Sequence, residues 1–342
     1  MTGIALGSSH TKILGMVGML AGICFLSFIV GGYYIEPVSV LGILLSKIIH
    51  VRQFWTSETE MVVMKIRLPR IAAALLVGAA LSTSGAAYQG LFRNPMVSPG
   101  ILGVAAGAGF GAALGMLFSF DIAGVQITAF CFGLLAVTIT YLISAWMGKS
   151  GDSLLVMVLA GIIISTLFSS FLSLIKYVAD PNSTLPAITY WLMGSLASVR
   201  MSDVYGALLP ILAGIVILIL LRWQLNVMTF GEEEAKALGI YTGKLRLLVI
   251  LCATMMTAAS VSISGEIGLV GLIVPHFARL LFGPNYKTLM PVSALMGAMF
   301  LLIVDDFART ICTAEIPLGI ITSIIGAPFF LYLLINTRRG WI

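Results

Sequence analysis

Three consecutive glutamates, Glu232, Glu233 and Glu234, stand in the segment TFGEEEAKALGIYTGKLR (229–246), between two long apolar runs of a chain that otherwise carries few charges. Thr229 and Glu232 have the Thr-x-x-Glu spacing of a capping box, which predicts a helix start. The acids then crowd the first turn, where the positive end of the helix dipole favours them. Lys236 lies four residues after Glu232 in the favourable order, and Gly239 is placed to end the helix. The expected element is a helix of about nine residues with Ala235, Leu238 and Phe230 on its less polar side. Two uses are open: a solvated loop between apolar runs, or a docking knob for a partner in the cytoplasm.

Other chemistry is scarce. There is no HExxH, no Gly-x-Ser-x-Gly and no carboxylate pair on one helical face, so an enzyme embedded in the membrane has no machinery to use. Gly148-Lys149-Ser150 ends like a phosphate-binding loop, but the required earlier glycine is Ile143, and an apolar helix precedes it rather than a strand. Any nucleotide-driven work must therefore come from a partner. Cys24, Cys131, Cys252 and Cys312 are far apart without a CxxC pair and read as packing residues, as do the 17 methionines. Glu266 interrupts an apolar join and is expected at the outer surface rather than in a buried ion site; His276 lies near the end of an apolar run.

The elements that must position these residues are apolar. The chain has 342 residues, 59% of them hydrophobic and 10% charged, with a net charge of +5 and a mean hydropathy of +1.08. That composition excludes a soluble globular protein and offers no basic stripe for nucleic acid. Ten stretches contain no Asp, Glu, Lys or Arg: 13–35, 71–92, 94–120, 122–148, 154–175, 204–221, 247–265, 267–278, 288–304 and 316–337. Nine are long enough to cross a bilayer; 267–278 is short and gains length only by continuing through Arg279 to Phe282. The runs do not alternate as barrel strands would, so the expected fold is all-α integral membrane with ten transmembrane helices, the eighth short. The whole chain, 1–342, reads as a single transmembrane domain. The 23-residue first run lacks a small-residue cleavage site and reads as a retained span.

With both termini in the cytoplasm, 11 of the basic residues fall inside and eight outside, which satisfies the positive-inside rule. The outer loop, roughly 36–66, holds EPVSVLGILLSKII, a surface helix by its pattern. LSTSGAAYQG (81–90) and VSISGEIGLVG (261–271) share a Ser-Gly pair on spans of opposite direction, a hint of an inverted internal repeat. Gly103, Gly107, Gly111 and Gly115 form a stripe that reads as close helix packing, with a pore lining as the alternative.

Several stretches, in order, carry a resemblance: RLPR (67–70), GAALSTSGAAYQGLFRNPMVSPGILGVAAGAGFG (78–111), WLMGSLAS (191–198), GEEEAKALGI (231–240), GEIGLVGLIVPHFARLLFG (265–283) and EIPLGIITSIIGAPFFLYLL (315–334). Across about residues 30–336 the chain resembles the permease subunits of the ABC importers for iron–siderophore, haem and cobalamin. The resemblance implies the type II importer permease fold and pairing with a second copy of itself around a central path. It also implies two cytoplasmic ATPase subunits that hold ATP and Mg, an extracytoplasmic solute-binding protein, no cofactor on this chain, and a place in a prokaryotic inner membrane. Within a cytoplasmic segment of about 229–243, it assigns ATPase coupling to Gly231, Glu232, Glu233, Glu234, Ala235, Leu238 and Gly239. Binding-protein docking is assigned to Arg67, Arg70 and Arg309, with membrane-interface snorkelling as the plainer use and with Asp305 and Asp306 placed to neutralise Arg309. The path is implied along 160–175 and 316–330, with a cytoplasmic gate near Ser150, Asp152 and Ser153. The implied cargo is a metal chelate, an iron complex of the siderophore or haem kind; cobalamin and an oxyanion such as molybdate stay open. An ion-coupled secondary carrier is the reading from a different class.

Overall fold

A computed structural model of the chain describes residues 9–50, 52–147, 153–312 and 314–336. Among them every regular element is helical. Each of the ten uncharged runs carries a helix: α1 (Ser9–Ile29), α4 (Leu68–Leu91), α5 (Val104–Leu117), α6 (Ile122–Met147), α7 (Ser153–Val178), α9 (Met201–Leu220), α12 (Thr242–Ser264), α13 (Val270–Phe282), α14 (Tyr286–Ala308) and α15 (Leu318–Asn336). Five shorter helices join them: α2 (Pro37–Ser46), α3 (Ser57–Met61), α8 (Thr184–Leu192), α10 (Arg222–Met228) and α11 (Glu232–Ala237). The helix expected in EPVSVLGILLSKII is α2.

Among the described residues, seven helices are long and apolar enough to cross a membrane. The expectation of nine fails clearly at the third run. Of 94–120, only Val104–Leu117 is a long helix. Arg93 turns the chain at φ 49°, Pro99–Leu102 forms a 3₁₀ turn, and Gly103 sits at φ 91°. Absence of charge measured how long the chain could stay in an apolar setting; prolines and glycines decided how much of it is helix.

Helix order repeats. α4–α7 have 24, 14, 26 and 26 residues, and α12–α15 have 23, 13, 23 and 19. In each set a break and a half-length helix follow the first long one. α14 packs on α4 as α6 packs on α12, and α13 packs on α14 as α5 packs on α6. The two leading helices run in opposite directions. Tyr286, at the start of α14, donates its hydroxyl to Ala86 O near the end of α4, and its N–H to Asn226 Oδ1 on α10, close to the acidic segment. α12 leaves that same end and, at 1.5 Å per residue, reaches Ser264 about 35 Å away. The two Ser-Gly pairs that hinted at this repeat are not equivalent positions in conformation: Ser84-Gly85 lies inside α4, whereas Ser264-Gly265 ends α12 with Gly265 at φ 67°.

α4 and α12 form the centre, with 78% of their most apolar windows buried, against 11% for α1 on the periphery. Small residues allow this. A Cβ on Gly85 would stand 1.6 Å from Gly271 O, and Cβ atoms on Gly107 and Gly111 would stand 2.5 and 2.4 Å from carbonyl oxygens of α6. The glycine stripe thus packs α5 against α6 backbone to backbone. Polar groups in this core bond locally or across it: Ser82 donates to Gly78 O, Ser84 to Ala253 O, and the hydroxyls of Tyr88 and Thr254 pair at 3.0 Å.

Candidate functional site

The acidic segment becomes α11, six residues rather than nine. No capping box forms. Thr229 turns its hydroxyl back to Asn226 O, and the helix starts at Gly231, whose φ of 143° suits glycine. A stronger partner takes the Glu232 side chain: Arg246 Nη2 donates to Oε2 at 2.7 Å, and the Thr242 hydroxyl donates to Oε1 at 3.0 Å. Lys236 Nζ approaches the same carboxylate at 3.5 Å, the i,i+4 pair expected from spacing. Partial burial works against the charge on Glu232, but Arg246, the Thr242 hydroxyl and Lys236 outweigh it and hold the carboxyl below the ordinary range. Gly239, at φ 80°, closes the helix: its N–H reaches Lys236 O, and that of Ile240 reaches Ala235 O, the paired bonds of a Schellman motif.

One helix thus has two faces. Ala235 is fully buried and Glu232 is latched to α12, whereas Glu233, Glu234, Leu238 and the preceding Phe230 are exposed. The less polar side expected from Ala235, Leu238 and Phe230 is therefore split: the first packs and the other two project with the acids. A six-residue helix is unstable alone, so the latch fixes its position.

At the other end of α4 and α14 lie the three arginines. A π-helical turn, Val62–Arg67, runs directly into α4 and sets Arg67 and Arg70 on its first turns. Arg70 Nε donates to both oxygens of Asp305 at 2.9 Å, and Nη1 donates to both oxygens of Glu315 at 2.8 Å. The Arg309 guanidinium donates to Asp306 and to Ser27 O, while the Ser27 hydroxyl donates to Asp306 Oδ1 at 2.7 Å. Arg67 donates to the carbonyls of Phe28 and Tyr33. All three side chains are buried, at 7% exposure or less for Arg70 and Arg309. In this conformation they tie α1, α4, α14 and the following loop together and do not form a free docking surface. Glu315, 41% exposed, is the accessible member of the cluster. The neutralisation of Arg309 by Asp306 was legible in their three-residue spacing; the role of Glu315 was not, because its partner lies 245 positions away.

A third constellation joins three chain breaks. WLMGSLAS runs from α8 towards α9, GEIGLVG links α12 to α13, and EIPLGI enters α15. Their main chains bond to one another: Ser195 N–H to Ser264 O at 2.8 Å, Leu318 N–H to Gly194 O at 2.8 Å, and Gly319 N–H to Met193 O at 3.1 Å. Glycine is required at the crossing. A Cβ on Gly265 would stand 2.1 Å from Trp191 O, and one on Gly194 would stand 2.5 Å from Glu266 O. Beside this knot opens a cavity of about 420 Å³, lined by Leu192, Met193, Glu266, Ile320, Ser323 and Ile324 together with Gly268 and Gly319. Glu266 is exposed, as expected, but into a recess.

Of the proposed gate, Ser150 and Asp152 lie outside the described residues, and Ser153 is the first residue of α7. All four cysteines are free; Cys252 is buried as a packing residue should be, whereas Cys131 and Cys312 are exposed and do not fit that expectation. His276 is buried in α13 near Phe329 of α15.

Comparison with known proteins extends this geometry. The FecCD transport family matches residues 19–336. The chain is 40% identical to the molybdate import system permease protein of Haemophilus influenzae, covering 97% of this chain and 98% of that protein. It is 41% identical to a probable iron chelatin transport system permease protein of Helicobacter pylori (82% and 85% covered) and 43% identical to the cobalamin import system permease protein of Halobacterium salinarum (82% and 76%). A solved structure described as an inward-facing conformation of an ABC transporter of metal-chelate type superposes with a TM-score of 0.84 at 38% identity, covering 95% of this chain and 99% of that one.

Proposed function

The chain belongs to the FecCD transport family and is the multi-pass permease of an ABC transporter, not its ATPase; on that premise we propose that it imports a metal chelate, an iron complex of the siderophore or haem kind. It works as a pair of identical copies in a prokaryotic inner membrane, with both termini in the cytoplasm. Two ATPase subunits holding ATP and Mg bind beneath the pair, and a solute-binding protein delivers cargo from outside. This chain itself binds no cofactor.

The observation that carries the reading is α11. A short helix with its root latched by Glu232–Arg246 and its tip of Phe230, Glu233, Glu234 and Leu238 exposed is a rigid knob, suited to pass force between an ATPase cleft and α12. α12 then runs the length of the molecule to the knot of chain breaks, so movement of the knob is delivered to the cavity. Cargo moves along α7 and α15, which face each other across the pair. The gate lies at the α6–α7 loop around Ser150, Asp152 and Ser153. At the outer end, an acidic side chain of the binding protein competes with Glu315 for Arg70 and so engages the cluster of Arg67, Arg70 and Arg309.

The test is reconstitution in liposomes with the encoded ATPase and binding protein. Uptake of a ferric chelate that requires ATP and all three components is expected. Uphill uptake by this chain alone under an ion gradient would replace the proposal with a secondary carrier. The ligand that co-purifies with the binding protein identifies the complex carried.

A further inference from the structure

Two features make the cavity beside the knot more than a packing defect. The first is backbone: an unwound segment needs its peptide groups paired or facing water. Here residues 265–269 leave α12, run non-helically and re-enter as α13, with Glu266 exposed on the recess. The second feature is charge. Among the residues lining the cavity, Glu266 is the one ionisable side chain, and Ser323 is the other polar one. The path segments 160–175 and 316–330 contain no Asp, Glu, Lys or Arg. The exposed polar groups along α7, including Thr166, Ser170 and Ser173, are hydroxyls that spend their protons on carbonyls one turn back. A single carboxylate in an apolar, uncharged recess sets the sign of the field there, because low-dielectric walls focus it.

We propose that Glu266 determines the charge class of the cargo, admitting neutral or cationic metal complexes and holding back oxyanions. The inference rests on the reading of α7 and α15 as the path. In a two-fold pair Glu266 occurs twice around that path, which strengthens the same sign. The distinction matters because relatives of similar identity are described as molybdate and as iron chelatin permeases.

The field is measured without transport. Ser323→Cys places a reporter thiol in the cavity, in a background where Cys24, Cys131 and Cys312 are serine. The probes are a cationic trimethylammonium-ethyl and an anionic sulfonatoethyl methanethiosulfonate. The rate ratio, cation over anion, is expected to fall roughly tenfold with Glu266→Gln and to be kept by Glu266→Asp, which also controls for folding. A ratio that Glu266→Gln leaves unchanged overturns the proposal. In the reconstituted system, the unmodified complex is expected to take up a neutral ferric trihydroxamate and not molybdate. Molybdate uptake at a comparable rate overturns the charge assignment even if the reagent ratio responds. Absence of ATP-driven uptake of both cargoes, with the ratio responding as expected, overturns the siderophore reading of the cargo and leaves the field assignment standing.

Discussion

The two ends of the molecule use the same chemistry, an arginine on a carboxylate, to different ends. At the α11 end, one pair, Arg246–Glu232, holds a small helix in place while its neighbours Glu233 and Glu234 stay in water. At the other end, Arg70, Asp305 and Glu315 join with Arg309, Asp306 and Ser27 in a cluster that is almost wholly buried. Burial decides the outcome. A partly exposed pair contributes little to stability and leaves adjacent charges available for recognition. A buried cluster locks the elements it joins, and removing one member strands the others. The acidic end leaves its charges exposed, and the arginine end buries them against one another.

The largest effect should come from attacking what is readable. Glu233→Lys with Glu234→Lys is expected to abolish ATP-driven uptake while leaving the thermal midpoint in detergent near that of the parent, since neither acid holds the fold. Retained uptake would mean that this surface is not where force enters. The next largest should come from attacking what holds. Asp305→Ala leaves Arg70 buried with only Glu315 and should destabilise by about 3–5 kcal/mol, read as an earlier unfolding transition. A shift no larger than that of a surface substitution would show that the cluster is wetter than its burial implies.

Between the ends, Gly265→Ala tests the knot. It demands φ 67° of a residue with a side chain and brings Cβ against Trp191 O, so a loss of at least about 1–3 kcal/mol is expected from backbone strain alone. A neutral result would deny that the crossing is tight. The smallest effect belongs to the latch. Glu232→Gln should cost no more than about 1 kcal/mol of stability. Because the folded carboxyl is held below its ordinary range, its contribution is present above that range and is lost as pH falls through the depressed value. Stability that rises on acidification at this site, relative to Glu232→Gln, would reverse the assigned sign.

Much of this was legible in sequence because a bilayer permits few solutions. Uncharged runs located the ten longer apolar helices, and the glycine stripe indicated which face of α5 packs closely. What sequence left hidden were features decided by distant partners. The Thr229–Glu232 spacing is a sound local signal, yet Arg246 and Thr242 outcompete the cap for the same carboxylate. The partners of Arg67 and Arg70 were hidden because the Phe28 carbonyl, Asp305 and Glu315 come to them from other helices and loops, as the Ser27 carbonyl does to Arg309. The interrupted third run follows from Pro99 and Gly103, residues that a count of charges ignores. Glu266 was visible as the odd acid at an apolar join, but only the meeting of α8, α12 and α15 gives it a recess to face.

The knot is tied by peptide groups alone. Ser195, Gly194 and Met193 meet Ser264, Leu318 and Gly319 through main-chain bonds, which do not depend on the identity of the side chains that face the recess. Such a frame is indifferent to what decorates it. Side chains that face the recess can change one at a time while the crossing itself is kept.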